Sequence, residues 1–531
     1  MKKVFFTLIV LVVIQSICAQ TSHYLDPNFN DHDYSLHMDI FSPVSINGAM
    51  VINDQNYEDN VYEVGFFVGT VYRGHGFLTY YDGDDYPMLD GPSVFFTNTN
   101  EDVYCKLYDH RSGLEYLCLE PLKTVQEGYD YFGDGFYLSF SLYTIDIASY
   151  TPHTSSTSAG GWYLIASPLA DDVEPTTVVD MLSNDYDLYY FDQTGGDYAK
   201  EWINYKASSS STNPGFKLVP GQGYLYANSE DVTLKFYGEQ NTNNEVTLLR
   251  ESTVAHAKMA GWNLIGNSSN KVKTIDRPYF RMNPVGRAEL IAGTGNIDAM
   301  EGIFVYYDPE DENVANRENK VAFTNSGSKR SEDDDMVLLT LNRNNGGAID
   351  RVIVRFDEGG TLPKYTLRDN STIIYIPQAD RDYAVVKGSA TNVFPVNFKT
   401  EDFGTYTLSA DIAGANVDYM HLIDKITGED VDMLLEGEYS FVAAPVDRED
   451  RFILRLNYSG YFNNESDIFA YQNGSDIVVC GEGTLQVFDV MGRYVTSYEV
   501  NGVQSIQAMP MGVYIFRMLG DDVKTQKIYV R

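Results

Sequence analysis

Tryptophan occurs 3 times, cysteine 4 times and histidine 8 times in 531 residues, and each scarcity closes a class of function. Four cysteines without a Cys-x-x-Cys pair exclude a disulfide-dense scaffold, a zinc ribbon and a thioredoxin-type redox motif. The histidines are dispersed, with no His-Glu-x-x-His. His32 and His37 lie five apart on loop or strand, a spacing with no metal geometry, so a solvated pair is the plain reading. There is no Gly-x-Ser-x-Gly elbow and no glycine-rich loop leading into a helix. Basic residues are also short: 38 Lys and Arg stand against 75 Asp and Glu, a formal charge of −37. Such a chain repels phosphate backbones and anionic lipid, which excludes nucleic acid as a partner. Beyond the first 19 residues no run is apolar enough to span a bilayer as a helix, so no transmembrane segment is expected. No long helical periodicity is available for an α/β barrel, and no spacing singles out two carboxylates for glycoside hydrolysis. The expectation is a protein that is not an enzyme, with no catalytic residues and no cofactor.

What is abundant points to β-structure. Tyr is present 41 times and Gly 43 times, with many Val, Thr and Asn, the palette of short strands joined by turns. The predicted fold class is all-β: several β-sandwich or β-barrel-like modules in tandem, each with its own core. Two acidic turns are the weak candidates for Ca²⁺, Asp82-Gly-Asp84-Asp85 and Asp308-Pro-Glu-Asp311-Glu312. The first lacks the acidic twelfth position of an EF-hand loop, and solvated turns are the plainer reading of both.

The N-terminus reads as a secretory signal peptide over residues 1–19. Met1-Lys2-Lys3 is a basic start, residues 4–14 are apolar, and Ser16-Ile17-Cys18-Ala19 is a small-residue cleavage region. Ile17 is too large for the position before a lipobox cysteine, so cleavage after Ala19, leaving Gln20, is preferred to lipidation of Cys18. Removing Lys2 and Lys3 from the 38 basic residues leaves 36 against 75 acidic ones, a balance of −39.

The first module spans 20–150. Its clearest stretch is Val61-Tyr-Glu63-Val-Gly65-Phe-Phe67-Val-Gly69-Thr-Val-Tyr-Arg73-Gly74. This Glu-x-Gly-x-Phe-x-Gly…Arg-Gly pattern resembles N-terminal β-sandwich modules of Bacteroidota surface proteins, a likeness that implies no activity. Cys105 and Cys118 flank the turn Asp109-His-Arg-Ser-Gly113. If Asp109 pairs with Leu114, the two cysteines stand opposite and a cross-strand disulfide is available; a bulge at Gly113 would offset them and leave two free thiols. Cys480 is then unpaired.

The second module, 160–324, carries an internal repeat. Gly161-Trp162-Tyr-Leu-Ile165 is echoed by Gly261-Trp262-Asn-Leu-Ile265, and Gly223-Tyr224-Leu-Tyr226 by Gly302-Ile-Phe304-Val-Tyr306. Duplication of a β-unit implies a closed or stacked architecture, and the segment resembles β-modules of adhesin-like Bacteroidota surface proteins. Trp162 and Trp262, at equivalent repeat positions, are read as core. Trp202 remains open as a ligand-facing aromatic, flat enough to meet a sugar ring. A third module, 336–456, shows short alternating runs typical of a sandwich, and Pro395-Val-Asn-Phe398 with Gly404-Thr-Tyr-Thr-Leu408 resembles sandwich modules that precede sorting domains. Residues 457–470 read as a linker.

The tail, 471–531, carries the most specific pattern. Leu485-Gln-Val-Phe-Asp489-Val-Met-Gly492-Arg493 is followed by Gly512-Val513-Tyr514-Ile-Phe-Arg517 and by Thr525-Gln-Lys527-Ile-Tyr-Val530-Arg531. Asn501-Gly502 between them predicts a hairpin turn. In this order the pieces resemble the C-terminal sorting domain of cargo of the type IX (Por) secretion system. The resemblance implies a small Ig-like β-sandwich, a sorting signal at Asp489, Gly492, Arg493, Gly512, Val513, Tyr514, Lys527 and Val530, and the type IX machinery as a partner. The expected protein is therefore exported to the outer-membrane surface or the medium, and binds an extracellular glycan or host-matrix protein as an adhesin. The alternatives are a polysaccharide-processing enzyme and a structural surface-layer component.

Overall fold

The computed structural model describes residues 22–530 apart from 27, 53–60, 81–85, 99, 124–137, 150–160, 194–200, 211–212, 251–258, 284–288, 309–318, 326–334, 344–346, 358–359, 369–370, 380, 389–390, 459–468, 474–475, 508 and 521–522. The 1–19 leader, Asp82, Asp84, Asp85, Asp311 and most of the 457–470 segment lie outside the described residues. The protein is all-β and modular. Its α-helices among the described residues are single turns, Tyr205–Ser208 and Met433–Glu436, and none is long and apolar enough to cross a membrane.

Two compact units divide the chain. One comprises Met1–Ile145, Pro168–Met181 and Thr233–Thr242, the other Asp146–Ser167, Leu182–Val232 and Asn243–Arg531. Residues 168–181 and 233–242, which sequence assigns to the second module, therefore cluster with the first.

In the first unit a sheet closes on itself through one long strand. The Leu36–Pro43 part of strand Leu36–Ile46 pairs antiparallel with Met88–Phe96, and Val44 to Ile46 pair parallel with Leu138–Ser141. The period of two then sorts side chains by face. Along Asp102–Asp109, Val103, Cys105 and Leu107 are buried. Along Tyr62–Val68, Val64 and Phe66 enter the same core while Glu63, Gly65 and Phe67 point to the opposite face.

The repeat of the second unit folds as two four-stranded sheets of matching order. Tyr163–Ala166 pairs with Gly223–Asn228, which pairs with Tyr186–Phe191, then Trp202–Asn204. Trp262–Gly266 pairs with Gly302–Tyr306, then Tyr279–Met282 and Leu290–Gly293. The sheets meet in a reciprocal way: Ile165 bridges Glu301, and Ile265 bridges Gln222. At this meeting the Gly266 backbone packs on Ala166, where a Cβ would lie 2.3 Å from the Ala166 Cβ. That close approach is why the Leu-Ile run of the second half ends in glycine.

Sequence separates the second and third modules, yet they share a core. Trp262, Phe280 and Phe304 pack with Ile353, Tyr365 and Val385, the Tyr365 ring centroid lying 4.7 Å from Trp262 and 5.2 Å from Phe304. The third module's own core lies between the strands from Met336–Arg343 to Phe452–Tyr458. Two buried ion pairs cross it: Lys364 Nζ lies 2.5 Å from Asp350, and Arg451 Nη2 lies 2.7 Å from Asp424.

The tail forms a five-stranded sheet around a separate core containing Val479, Leu485, Val487, Phe516 and Ile528. Asn501-Gly502 does not turn the chain. Both residues lie inside strand Tyr494–Gln507, opposite Glu482 and Gly481. Gly502 does take a positive φ of 82°, but the glycine facing it lets the long pair continue past it, and the hairpin closes instead at 489–493.

Candidate functional site

The residues of the C-terminal pattern are scattered over 42 positions and gathered at one end of one sheet. Asp489 ends the strand Asp476–Asp489 opposite Tyr514. Tyr514 faces Ile528, Val513 faces Tyr529, and Gly512 faces Val530. Lys527, opposite Ile515, is one step farther along and exposed.

The Asp-x-x-Gly-Arg turn is locked by its own side chains. Asp489 Oδ1 accepts from the amides of Met491 and Arg493, each at 2.9 Å, and Oδ2 accepts from Arg493 Nε at 2.7 Å. The Arg493 amide first, with its guanidinium and the Met491 amide, holds the Asp489 carboxyl below the usual range against the opposing effect of desolvation. Gly492 supplies the left-handed φ of 75°. The lock turns outward what the sequence left unassigned: Val490, Met491, Tyr494 and Met511 are all more than half exposed. Arg493 stands among them, 79% exposed. These apolar side chains are held outside the core of the tail, beside the charged Arg493.

The other candidates are placed as follows. Trp202 is half-buried and lies edge-on to Phe191 and Phe304, with ring centroids 5.4 and 5.9 Å away. Trp262 is buried, and Trp162 packs partly on the same cluster. Asp308 is no solvated turn carboxylate: it is buried, 2.9 Å from Arg250 Nη1, and accepts from Tyr306 Oη at 3.2 Å. An ion pair satisfies it there because a buried carboxylate needs a partner. Among the described residues no group of three or more His, Cys, Asp or Glu is placed to hold a metal ion.

Cys105 and Cys118 do fall opposite each other. Asp109 pairs with Leu114 and Lys106 with Leu117, and Gly113 causes no offset. Both are free thiols in this structure. Burial pushes the Cys105 thiol up, and its hydrogen bond to Cys118 favours ionisation of the latter, which lies below its ordinary value. A thiol oxidant is expected to join them with loss of two hydrogens, Cys118 attacking, and to stabilise this hairpin by about 3 kcal/mol on the loop-entropy scale. A non-reducing peptide map after oxidation tests this; two thiols that remain alkylatable would refute it.

Sequence singled out the Glu-x-Gly-x-Phe stretch without a role for it. Glu63 sits on the outer face of its sheet and is nonetheless fully buried. Residues 22–24 lie over it: the Ser22 hydroxyl and the amides of His23 and Tyr24 donate to its carboxylate, the amides at 2.7 and 3.0 Å, and His110 Nε2 donates at 2.8 Å. Gly65 leaves room for the Tyr24 ring, which a Cβ there would meet at 2.5 Å. The His23 ring stacks on Tyr108 at 3.7 Å. The pattern therefore describes a dock for the N-terminal segment. Nothing local betrays this, because the docked residues lie 40 positions away.

No protein-family model matches the chain, and comparison with curated proteins finds no match.

Proposed function

We propose that the protein is cargo of a type IX secretion system, exported to the cell surface or medium, and that it acts there as a binding protein. The observation that carries this reading is the convergence of Asp489, Gly492, Arg493, Gly512, Val513, Tyr514 and Val530 on one sheet end beside exposed Val490, Met491 and Met511. An address read by a folded partner needs such a surface: rigid, chemically distinctive, and independent of the rest of the chain. The separate core of the tail supports that independence. Tandem β-modules with turns at their ends suit the display of a ligand-binding surface, and an extracellular glycan or matrix protein is the class of ligand proposed.

Deleting residues 480–531 is expected to leave the protein in the periplasm of a type IX-competent cell. Asp489→Ala, which unlocks the turn but spares the core, is expected to reduce the exported fraction. Fractionation and immunoblotting test both. Undiminished arrival of the deleted form at the surface or in the medium would overturn the reading.

A further inference from the structure

The two halves of the duplicated module meet along two related seams, and among the described residues these differ in charge. Within the sheets, Tyr190 pairs with Tyr224 and Phe280 with Phe304. Aligning the halves on Gly223 and Gly302 places Arg281 at the repeat position of Tyr190, and Glu301 at that of Gln222. In the second half these two form an ion pair. Arg281 Nε donates to Glu301 Oε1 at 2.8 Å, and its Nη2 reaches both Glu301 and, at 2.8 Å, Asp298. The charges answer each other across the place where Ile165 bridges Glu301.

In the first half the same positions are neutral, and the seam is open. Tyr190 and Gln222 line a cleft of about 310 Å³, together with Asp192, Val246, Trp262 and Ile265 among others. That volume is at the lower end of small-molecule sites, roughly 300 Å³ upward. The lining has two characters. Tyr190, Gln222 and Thr247 offer hydroxyl and amide groups, while Pro220, Val246 and Ile265 offer apolar surface. Burial first, and then the charge of Asp192, pushes the Tyr190 phenol up, so it stays a neutral donor at physiological pH. Among the described residues no Lys or Arg lines the cleft, and Asp192 does, which disfavours phosphate, sulfate or carboxylate ligands. A small molecule with many hydroxyls and apolar C–H faces, bearing no negative charge, fits this mixture.

We propose that the open seam binds a neutral sugar residue of a glycan, Tyr190 and Gln222 meeting its hydroxyls. This deepens the binding-protein reading above and rests on it. Duplication supplied two seams; an arginine and a glutamate sealed one, and the other kept its space.

The test is calorimetry on the chain from residue 20 to 531, titrated with neutral mono- and oligosaccharides, with Trp262 fluorescence as a second readout. Saturable binding of a neutral sugar is expected, and Gln222→Ala should weaken it about tenfold, the effect of one lost hydrogen bond. The double variant Tyr190→Arg/Gln222→Glu copies the sealed seam and should abolish binding. Thr247→Trp, at the exposed rim, obstructs the cleft without touching the core and should do the same in a protein with unchanged thermal unfolding. A wild-type chain that binds no neutral sugar overturns the proposal. So does binding that survives both the sealed and the obstructed variants, although that result leaves the binding-protein reading standing. Fractionation of the wild-type protein reports on export separately.

Discussion

Arg451→Ala is expected to destabilise the 336–456 sandwich by about 3–5 kcal/mol, the usual consequence of leaving one member of a buried ion pair alone. The guanidinium is almost fully enclosed, and its Nε and Nη2 both bond the Asp424 carboxylate. Its Cζ lies over the rings of both Phe441 and Phe452, 4.4 and 5.3 Å from their centroids. Asp424 also accepts from Tyr439 Oη at 3.0 Å and caps the Ile426 amide at 2.9 Å, which sets the turn before Gly428. Burial pushes this carboxyl up, but the bonds from Arg451, Ile426 and Tyr439 outweigh it and hold the group below its ordinary range. Truncating the arginine therefore strands a charge, removes two aromatic contacts and loosens a hairpin. A double variant, Asp424→Leu with Arg451→Met, should recover most of the loss, because desolvation of the pair offsets much of its attraction. Thermal unfolding or limited proteolysis of this module measures both. A loss under about 1 kcal/mol for Arg451→Ala would mean the pair is solvated in solution.

Glu63→Ala is expected to release the N-terminal segment from its module. Four donors would lose their acceptor: the Ser22 hydroxyl, the His23 and Tyr24 amides, and His110. At about 1 kcal/mol for each orphaned donor, the loss is on the order of 4 kcal/mol. The same bonds give the contact a pH dependence of defined sign. Burial raises the Glu63 carboxyl, but the bonds from Ser22, His23, Tyr24 and His110 lower it further, so its folded value lies below the ordinary one. A depressed carboxyl stabilises the folded state fully above the ordinary glutamate value of about 4.3 and loses that contribution as pH falls through the folded value. Hydrogen exchange at the His23 and Tyr24 amides should thus be slow at neutral pH and accelerate beyond its intrinsic pH trend below about pH 4. In Glu63→Gln the acid-dependent step should vanish. Amides that exchange freely at pH 7 in the wild-type chain would refute the docking.

The two expectations differ in how local they are. The Arg451 pair joins a strand to the turn beside it, and substitution there should leave the 22–24 segment untouched. The Glu63 contact joins residues 40 apart, and its loss should leave the sandwich untouched. Each variant is the other's control.

By itself the sequence determined the class of the fold, because alternation of apolar and polar residues with a period of two is a local property. The strands at Tyr62–Val68, Asp102–Asp109 and Gly512–Leu519 can be read from a few residues each. It also determined the repeat, since Gly-Trp-x-Leu-Ile recurs at the first strand of each four-stranded sheet, Tyr163–Ala166 and Trp262–Gly266. The order of the tail motifs was legible, but the hairpin turn at Asp489 to Arg493 was not, being expected at Asn501-Gly502 instead. Asn501-Gly502 shows the limit of such reading: a tolerated positive φ says that the chain can turn, and the strand opposite decides whether it does.

Only the tertiary structure decided which distant residues meet. Asp308, acidic and turn-like in sequence, is buried against Arg250. Trp202 is spent largely on Phe191 and Phe304. Glu63 is charged, faces outward, and is buried because a segment 40 residues earlier covers it. The cleft lined by Tyr190 and Gln222 draws on segments from both halves of the repeat, up to Ile265. In each case the deciding contact spans a sequence separation that no local periodicity encodes, and its energy comes from desolvation and partner geometry that exist only once the sheets have packed.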